Sequence, residues 1–257
     1  MVEAKNLTFR YGTETILDNI SFTAHPGEIT AVIGPNGVGK STLLKCVAGL
    51  HRYQGTIRIC GNDRLTDAQH AAMIGYLCQN TGCSADLTVF EVILMGLVNE
   101  LSFRVGPEKI QRVEEIMKLM EIQQYAGRKM HQLSGGQQQL VFIAQTLIKR
   151  PDVLILDEPT SALDLNRQFQ LMELIKRVTE EYGFTTMVCH HHLDLVSRFA
   201  SRVLVLKGGR IYCDDAPARA FTKQMFQDVY GMKVEFCTDQ ENILHMIPVD
   251  RIDRREI

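Results

Sequence analysis

Three short stretches carry residue types whose spacing fits chemistry on a phosphate anhydride. Gly34-Pro35-Asn36-Gly37-Val38-Gly39-Lys40-Ser41-Thr42 matches the pattern G-x-x-x-x-G-K-[ST]. Glycines let a backbone wrap phosphates, and exposed amides at a helix start favour their negative charge. Lys40 would reach the outer phosphates, and Ser41 would offer a hydroxyl to Mg2+. A chance match in a chain of this length is on the order of 1%, so a plain Gly-rich turn is the weaker explanation. Val153-Leu154-Ile155-Leu156-Asp157-Glu158 reads as a buried strand closing on two carboxylates. Open α/β sheets bind ligands at the carboxyl ends of their strands. Asp157 is therefore placed to hold Mg2+ through water, and Glu158 to polarise an attacking water. Leu133-Ser134-Gly135-Gly136-Gln137 precedes a helix whose apolar face is expected to be Leu140, Val141, Ile143, Ala144, Leu147 and Ile148. Its glycine-loosened start is a second anion site. Two such sites in one chain need not serve the same nucleotide.

The elements that position these stretches alternate between strand and helix. Leu7, Phe9 and Tyr11, then Ile16, Leu17, Ile20 and Phe22, pattern as N-terminal strands, with a turn at Pro26-Gly27. Ile29–Ile33 is a short β-branched run of the buried-strand kind, and Ser41–Leu50 reads as the helix after it. Gln54–Ile59 and Met73–Leu77 read as further strands. From about 87 to 150 the pattern turns helical; Pro107 opens a segment with Ile110, Val113, Ile116, Met117 and Met120 on one face. Strand and helix then alternate again: Val153–Leu156, a helix from about Asn166 to Tyr182 stopped by Gly183, Thr185–Val188 and Val203–Leu206. A parallel-sheet core interrupted by a helical insertion is the simplest architecture.

The chain has 257 residues and a formal net charge of −2, enough for one large α/β domain and no electrostatic reason to expect a nucleic-acid partner. Met1–Asn6 has no apolar signal-peptide core, and Val89–Val98 is too short and carries Glu91, so a soluble, cytosolic chain is expected. Seven cysteines without a CxxC spacing point to reduced thiols, not to a disulfide framework or zinc site. His190-His191-His192 is a poor metal site, because consecutive residues on an extended segment point to alternate sides.

Taken in order, these motifs resemble the ATP-binding subunit of ABC transporters over nearly the whole chain. That resemblance implies an α/β P-loop NTPase core with a mainly parallel sheet, an N-terminal antiparallel β subdomain and an inserted helical subdomain. A single ATPase domain would span 1–230, its core about 1–85 and 150–230 and its helical insertion about 86–149, with 231–257 a short extension. Substrate and cofactor would be ATP and Mg2+. Tyr11 looks like the aromatic that stacks on adenine; Gln79 looks like the glutamine that reaches Mg2+ and the water. Leu133–Gln137 looks like the family signature, whose Ser134, Gly135, Gly136 and Gln137 would contact the γ-phosphate bound by the other protomer. Ser161–Asp164 looks like the loop that contributes Asp164, and alignment on Arg198–Arg202 makes His191 the switch histidine. Glu158, His191 and Gln79 would be the catalytic set; Ser41, Gln79 and Asp157 would hold the metal.

Departures from the family pattern are His192 in place of an aspartate, Leu140 where a basic residue commonly follows the signature, and Leu97 after Gly96, near the surface expected to meet the membrane partner. Met225–Val234 and the tail through Pro248, with Leu87–Val92 leading to Met95-Gly96, resemble subunits of iron–siderophore, haem and cobalamin importers. The implied assembly is a homodimer at the cytoplasmic face of the inner membrane, bound peripherally to two transmembrane permease subunits and served indirectly by a solute-binding protein. Molybdate or another metal ion is an alternative solute. A soluble ABC ATPase of cofactor assembly or nucleic-acid work is a further alternative, disfavoured by the lack of a coiled-coil insert, second cassette or basic patch.

Overall fold

The computed structural model describes residues 1–78, 86–100, 105–241 and 243–251. Along the chain lie β1 (Val2–Tyr11), β2 (Glu14–Ala24), β3 (Ile29–Ile33), α1 (Lys40–Val47), β4 (Gln54–Ile59), α2 (Asp67–Met73), β5 (Ile74–Leu77) and α3 (Val89–Leu94). Then follow α4 (Pro107–Leu119), α5 (Gly135–Leu147), β6 (Val153–Asp157), α6 (Leu165–Tyr182), β7 (Thr185–Cys189), α7 (Leu193–Phe199), β8 (Arg202–Lys207), β9 (Arg210–Asp215), β10 (Met232–Thr238) and β11 (Leu244–Arg251). The central sheet has the order β5-β6-β7-β3-β8-β9, parallel except at its β8–β9 edge. A second, antiparallel sheet orders β2-β1-β4, and β10–β11 form a hairpin. The expected P-loop NTPase fold is therefore present.

Strands β3, β6 and β7, including their polar residues Thr30, Asp157, Thr185 and Thr186, are buried along their whole length, which is why they lack the polar alternation of a half-exposed strand. Their side chains still alternate between two cores, as a pleated backbone requires. Val32, Val153, Ile155, Met187 and Leu204 pack with α1 and the antiparallel sheet. Ala31, Ile33, Leu154, Leu156, Val188 and Val203 pack on the other side, with the α3–α6 helices and the residues around Phe226. Both faces of the sheet are thus covered. Its strand tips are the edge left open to a ligand.

Helix ends follow local chemistry. Thr88 Oγ1 accepts from Glu91 N at 3.3 Å while Glu91 Oε2 accepts from Thr88 N at 2.7 Å, a reciprocal cap that starts α3. Gly183, at φ 68°, stops α6 in the left-handed conformation that glycine tolerates best. The Pro107 helix differs from expectation at one residue: Val113, Ile116, Met117 and Met120 are buried, but Ile110 in the first turn is 39% exposed. Leu97 is also corrected. It is 1% exposed and belongs to the core, while Met95 and Val98 beside it are 48% and 60% exposed and form the surface. Cys46 and Cys189 are buried thiols, and burial pushes Cys46 up to about 12. Among the described residues no helix is long and apolar enough to cross a membrane.

Candidate active site

The phosphate loop fills the turn between β3 and α1. Gly34 has φ 145°, and a Cβ there would lie 2.5 Å from Leu206 O; at Gly39, φ 107°, it would lie 2.8 Å from Leu17 Cδ2. Both positions therefore demand glycine for space and for dihedral angle. Lys40 is 6% exposed, and its Nζ donates to Gly34 O at 2.9 Å and Pro35 O at 3.0 Å. An ammonium has three donors, so two of them tether it over the loop. Val38 turns back against the apolar core, leaving Asn36 and Gly37 at the surface.

Ser41 Oγ donates to Asp157 Oδ1 at 3.1 Å, across 116 residues of sequence. Asp157 is 2% exposed, and burial, offset in part by the Ser41 and Cys189 side chains, raises its carboxyl above the ordinary range. A hydroxyl and a buried carboxylate side by side are the hard oxygen donors that Mg2+ takes, so this pair fits the ion. Glu158 follows at φ 54°, in the left-handed region that non-glycine residues rarely adopt, and its carboxylate accepts from His191 Nε2. Lys40, Ser41, Glu158 and His191 line one open cavity of about 660 Å³ with Tyr11, Ile16, Asn36, Gly37, Gly39 and Thr42, and Asp157 lies behind it, bonded to Ser41. Tyr11 is 52% exposed at its rim, its hydroxyl 3.0 Å from His51 Nε2 and its ring edge-on to Phe9. The structure thus gathers Tyr11, the loop, Asp157, Glu158 and His191.

It places the signature elsewhere. Ser134 Oγ accepts from Gln137 N at 3.4 Å and Gln137 Oε1 accepts from Ser134 N at 3.0 Å, capping α5. Gln137 Nε2 also donates to Tyr125 OH at 3.0 Å. Gln137 is therefore engaged at both ends within its own chain, and it lines, with Ser134, Gly135 and Gly136, a cavity of about 370 Å³. Asp164 lies in that same cavity, where Oδ1 accepts from Arg167 N at 2.9 Å and caps α6. Leu140 lines it too, half-buried. Among the described residues, none lines both this cavity and the phosphate-loop cavity. Gln79 lies outside the described residues.

The three histidines separate as an extended segment dictates. His191 reaches Glu158, whereas His190 turns inward and is 2% exposed. His190 Nδ1 accepts from His192 N at 3.0 Å, so its Nε2 hydrogen faces Thr160 Oγ1 at 3.1 Å. Burial first, then His192 and His191, pushes its pKa down to about 4 from an ordinary 6.5. The unfolded chain therefore binds this proton more tightly. The stability that neutral His190 contributes is whole above pH 6.5 and is lost as pH falls toward 4, by about 3 kcal/mol at most. We expect denaturant unfolding of a His190→Asn variant to show a shallower loss of stability between pH 6.5 and 4 than the parent chain. An unchanged slope would contradict the assignment.

Gln139, Gln168, Thr160 and Tyr230 were not expected from sequence. Gln168 Nε2 donates to Thr160 O at 3.3 Å and Leu163 O at 2.9 Å. Tyr230, from the segment before β10, bonds the Gly34 backbone, and burial pushes its hydroxyl up to about 12. These groups brace the loops from behind.

A phosphate loop ahead of a helix, two acids at the tip of the adjacent buried strand and a histidine on the second carboxylate define a P-loop ATPase. A family model described as ABC transporter matches residues 17–161. The petrobactin import ATP-binding protein FpuC of Bacillus anthracis is 33% identical over 246 residues, covering 94% of this chain and 90% of that protein. The hemin import ATP-binding protein HmuV of Rhizobium leguminosarum is 34% identical over 245 residues, covering 91% and 92%. A metal-chelate type ABC transporter solved in an inward-facing conformation aligns with a TM-score of 0.84 at 26% identity, covering 96% of each chain. A dimeric ATP-binding cassette bound to ADP and Pi after hydrolysis aligns at 0.76 with 31% identity, covering 84% of this chain and 99% of that one. The chain belongs to the ABC transporter family, as an ATP-binding and ATP-hydrolysing cassette.

Proposed function

We propose that the chain is the energy-coupling ATPase of an importer for an iron–siderophore, haem, cobalamin or other metal-containing solute. It works as a homodimer held peripherally under two permease subunits at the cytoplasmic face of the inner membrane, with a solute-binding protein delivering cargo. The relatives named for petrobactin and hemin import support the solute class. Residues 1–230 act as one cassette, and 231–257 extend it. The observation that carries the dimer is the division of the site. The phosphate loop and the signature open on separate cavities, each with only part of the groups that surround a triphosphate. Two chains packed head to tail would bring each loop against the opposite signature, as the dimeric relative suggests.

In this reading Gly34–Thr42 and Lys40 hold the phosphates, and Tyr11 stacks on the base. Ser41, Asp157 and Gln79 would hold Mg2+, which when bound offsets phosphate charge. Glu158 orients and polarises the water; His191, hydrogen-bonded to it, fixes the carboxylate and reaches toward the γ-phosphate. Ser134–Gly136 of the partner add amides and a helix N-terminus to the same phosphate. Asp164, beside the signature, lies on the surface that closes. Closure excludes water and completes the set, so hydrolysis follows association.

The groove suited to the permease lies between the end of α1, α2, the Met95–Val98 segment after α3 and the end of α5. It has a volume of about 520 Å³, and Leu50, Met95 and Val98 are exposed along it. Lys149 ties its floor by donating to Ala71 O at 2.7 Å and Ile74 O at 2.6 Å. Purification of the tagged full chain from detergent-solubilised membranes should recover two integral membrane subunits. Its ATPase rate in that complex should rise several-fold with a ferric-chelate-loaded binding protein. Recovery of nucleic acid, or of the chain alone, would contradict the reading.

A further inference from the structure

Gln139 lies two residues beyond the signature and is only 5% exposed. A primary amide is tolerated at that depth when both of its ends are bonded, and both bonds leave α5. Nε2 donates to Glu158 O at 3.2 Å, and Oε1 accepts from Ala162 N at 3.3 Å. One side chain of the signature helix therefore grips the backbone on either side of the turn that follows β6.

Bonds within the turn, Ser161 N to Glu158 O at 3.3 Å and Leu163 N to Thr160 O at 3.1 Å, are joined by others from outside it. Thr160 Oγ1 meets His190 Nε2 at 3.1 Å, and Gln168 takes Thr160 O and Leu163 O. Glu158 sits within it at φ 54°, a conformation that persists only where the surroundings over-determine it. The start of α5 also touches the turn directly. A Cβ at Gly136 would lie 2.8 Å from Leu163 Cδ2 and 3.0 Å from Ala162 O. A displacement of α5 would thus pass to the turn at Ala162, and through Gln139 to the Glu158 backbone.

We propose that Gln139 is a positioning residue through which the signature helix sets the orientation of Glu158. This rests on reading Glu158 as the water-polarising carboxylate and Ser134–Gly136 as the contact for the partner's nucleotide. Each chain then has its signature on one nucleotide and its carboxylate on the other. Gln139 joins the two, so occupation of one site of the dimer prepares hydrolysis at the second.

The test uses the full chain with Gln139→Met, which keeps the length and removes both bonds, and Gln139→Glu, which keeps an acceptor for Ala162 N and loses the donor to Glu158 O. ATPase rates are measured against ATP concentration, alongside direct ATP binding and thermal unfolding. Loss of one oriented hydrogen bond corresponds to about a ten-fold change. Both variants should lose about ten-fold in kcat, bind ATP within about two-fold of the parent, and show a Hill coefficient for ATP that falls toward one. If Gln139→Met does not fold, Gln139→Glu alone carries the decision. A kcat within two-fold of the parent would overturn the proposal, as would equal losses of kcat and ATP binding. A Glu158→Gln control separates the two ideas. If that control still hydrolyses ATP, the reading of Glu158 fails; if it is inactive while Gln139→Met turns over normally, only the role of Gln139 fails.

Discussion

Replacement of Glu158 by glutamine is expected to lower ATPase turnover of the full chain by about 100-fold or more, the usual contribution of a positioned general base. ATP binding should persist, and the closed dimer should accumulate. The change is confined to charge. Glutamine matches glutamate in length, and its carbonyl can still accept from His191 Nε2 as the Glu158 carboxylate does. The bonds of Lys40 to Gly34 O and Pro35 O, and of Ser41 to Asp157, do not involve the Glu158 side chain. What disappears is the carboxylate that draws a proton from water. Steady-state phosphate release gives the rate, and size-exclusion chromatography with ATP gives the dimer. A variant that hydrolyses at the parental rate would move the base to another residue.

Ser134→Arg should abolish hydrolysis as completely while leaving ATP binding by the single chain within about two-fold. Two effects combine at this position. The guanidinium places a positive charge and a long side chain at the positive end of α5, where the open cavity faces Gly135 and Gly136. It also removes the cap that Ser134 Oγ provides to Gln137 N, a loss of about 1 kcal/mol. Ser134→Ala loses the same cap without the bulk, so it isolates the folding contribution. The phosphate-loop cavity contains none of the altered atoms, and fluorescent-nucleotide binding should show it intact. Parallel loss of binding and hydrolysis in Ser134→Arg would argue that both motifs serve one nucleotide in one chain.

Much of the fold was legible because its signals are local. The five-residue runs of β3, β6 and β7 are buried on both faces and so are mostly apolar or β-branched, without polar alternation. Gly183 and Pro107 mark helix ends by backbone geometry alone. The phosphate loop was legible for the same reason, since each glycine answers a dihedral or a close contact that any sequence must satisfy. The choice of His191 among three histidines rested on resemblance; in the structure His190 turns inward and His191 bonds Glu158.

The rest depends on distance in sequence. Ser41 meets Asp157 across 116 residues, and no spacing rule connects them except through the sheet. Leu97 departs from an arginine of the resembled family near the expected partner surface; its own side chain turns into the core between exposed Met95 and Val98. The supporting shell of Gln139, Gln168, Thr160 and Tyr230 left only a faint trace. Gln139 precedes Ile143 by four residues and Thr146 by seven, so it falls in the buried stripe of α5, where a polar side chain requires partners. Nothing local says that those partners are Glu158 and Ala162. Tyr230 lies within Met225–Val234, the segment that with the tail through Pro248 resembled an importer branch. Its contact with Gly34 shows that it also seats the phosphate loop.

The claim at the centre of this account is that one active site is assembled from two chains. Its most direct measurement mixes two full-length variants in a Glu158→Gln background, one carrying Lys40→Ala and the other Ser134→Arg, and counts the ATP retained by the dimer fraction. Neither variant alone should retain ATP in a dimer, because each would pair a sound motif with a damaged one. Mixed together, they should yield dimers holding one ATP per two chains, at the site where the intact loop of one meets the intact signature of the other. If the mixture retains no ATP, or either variant alone retains as much as the mixture, the shared site is wrong.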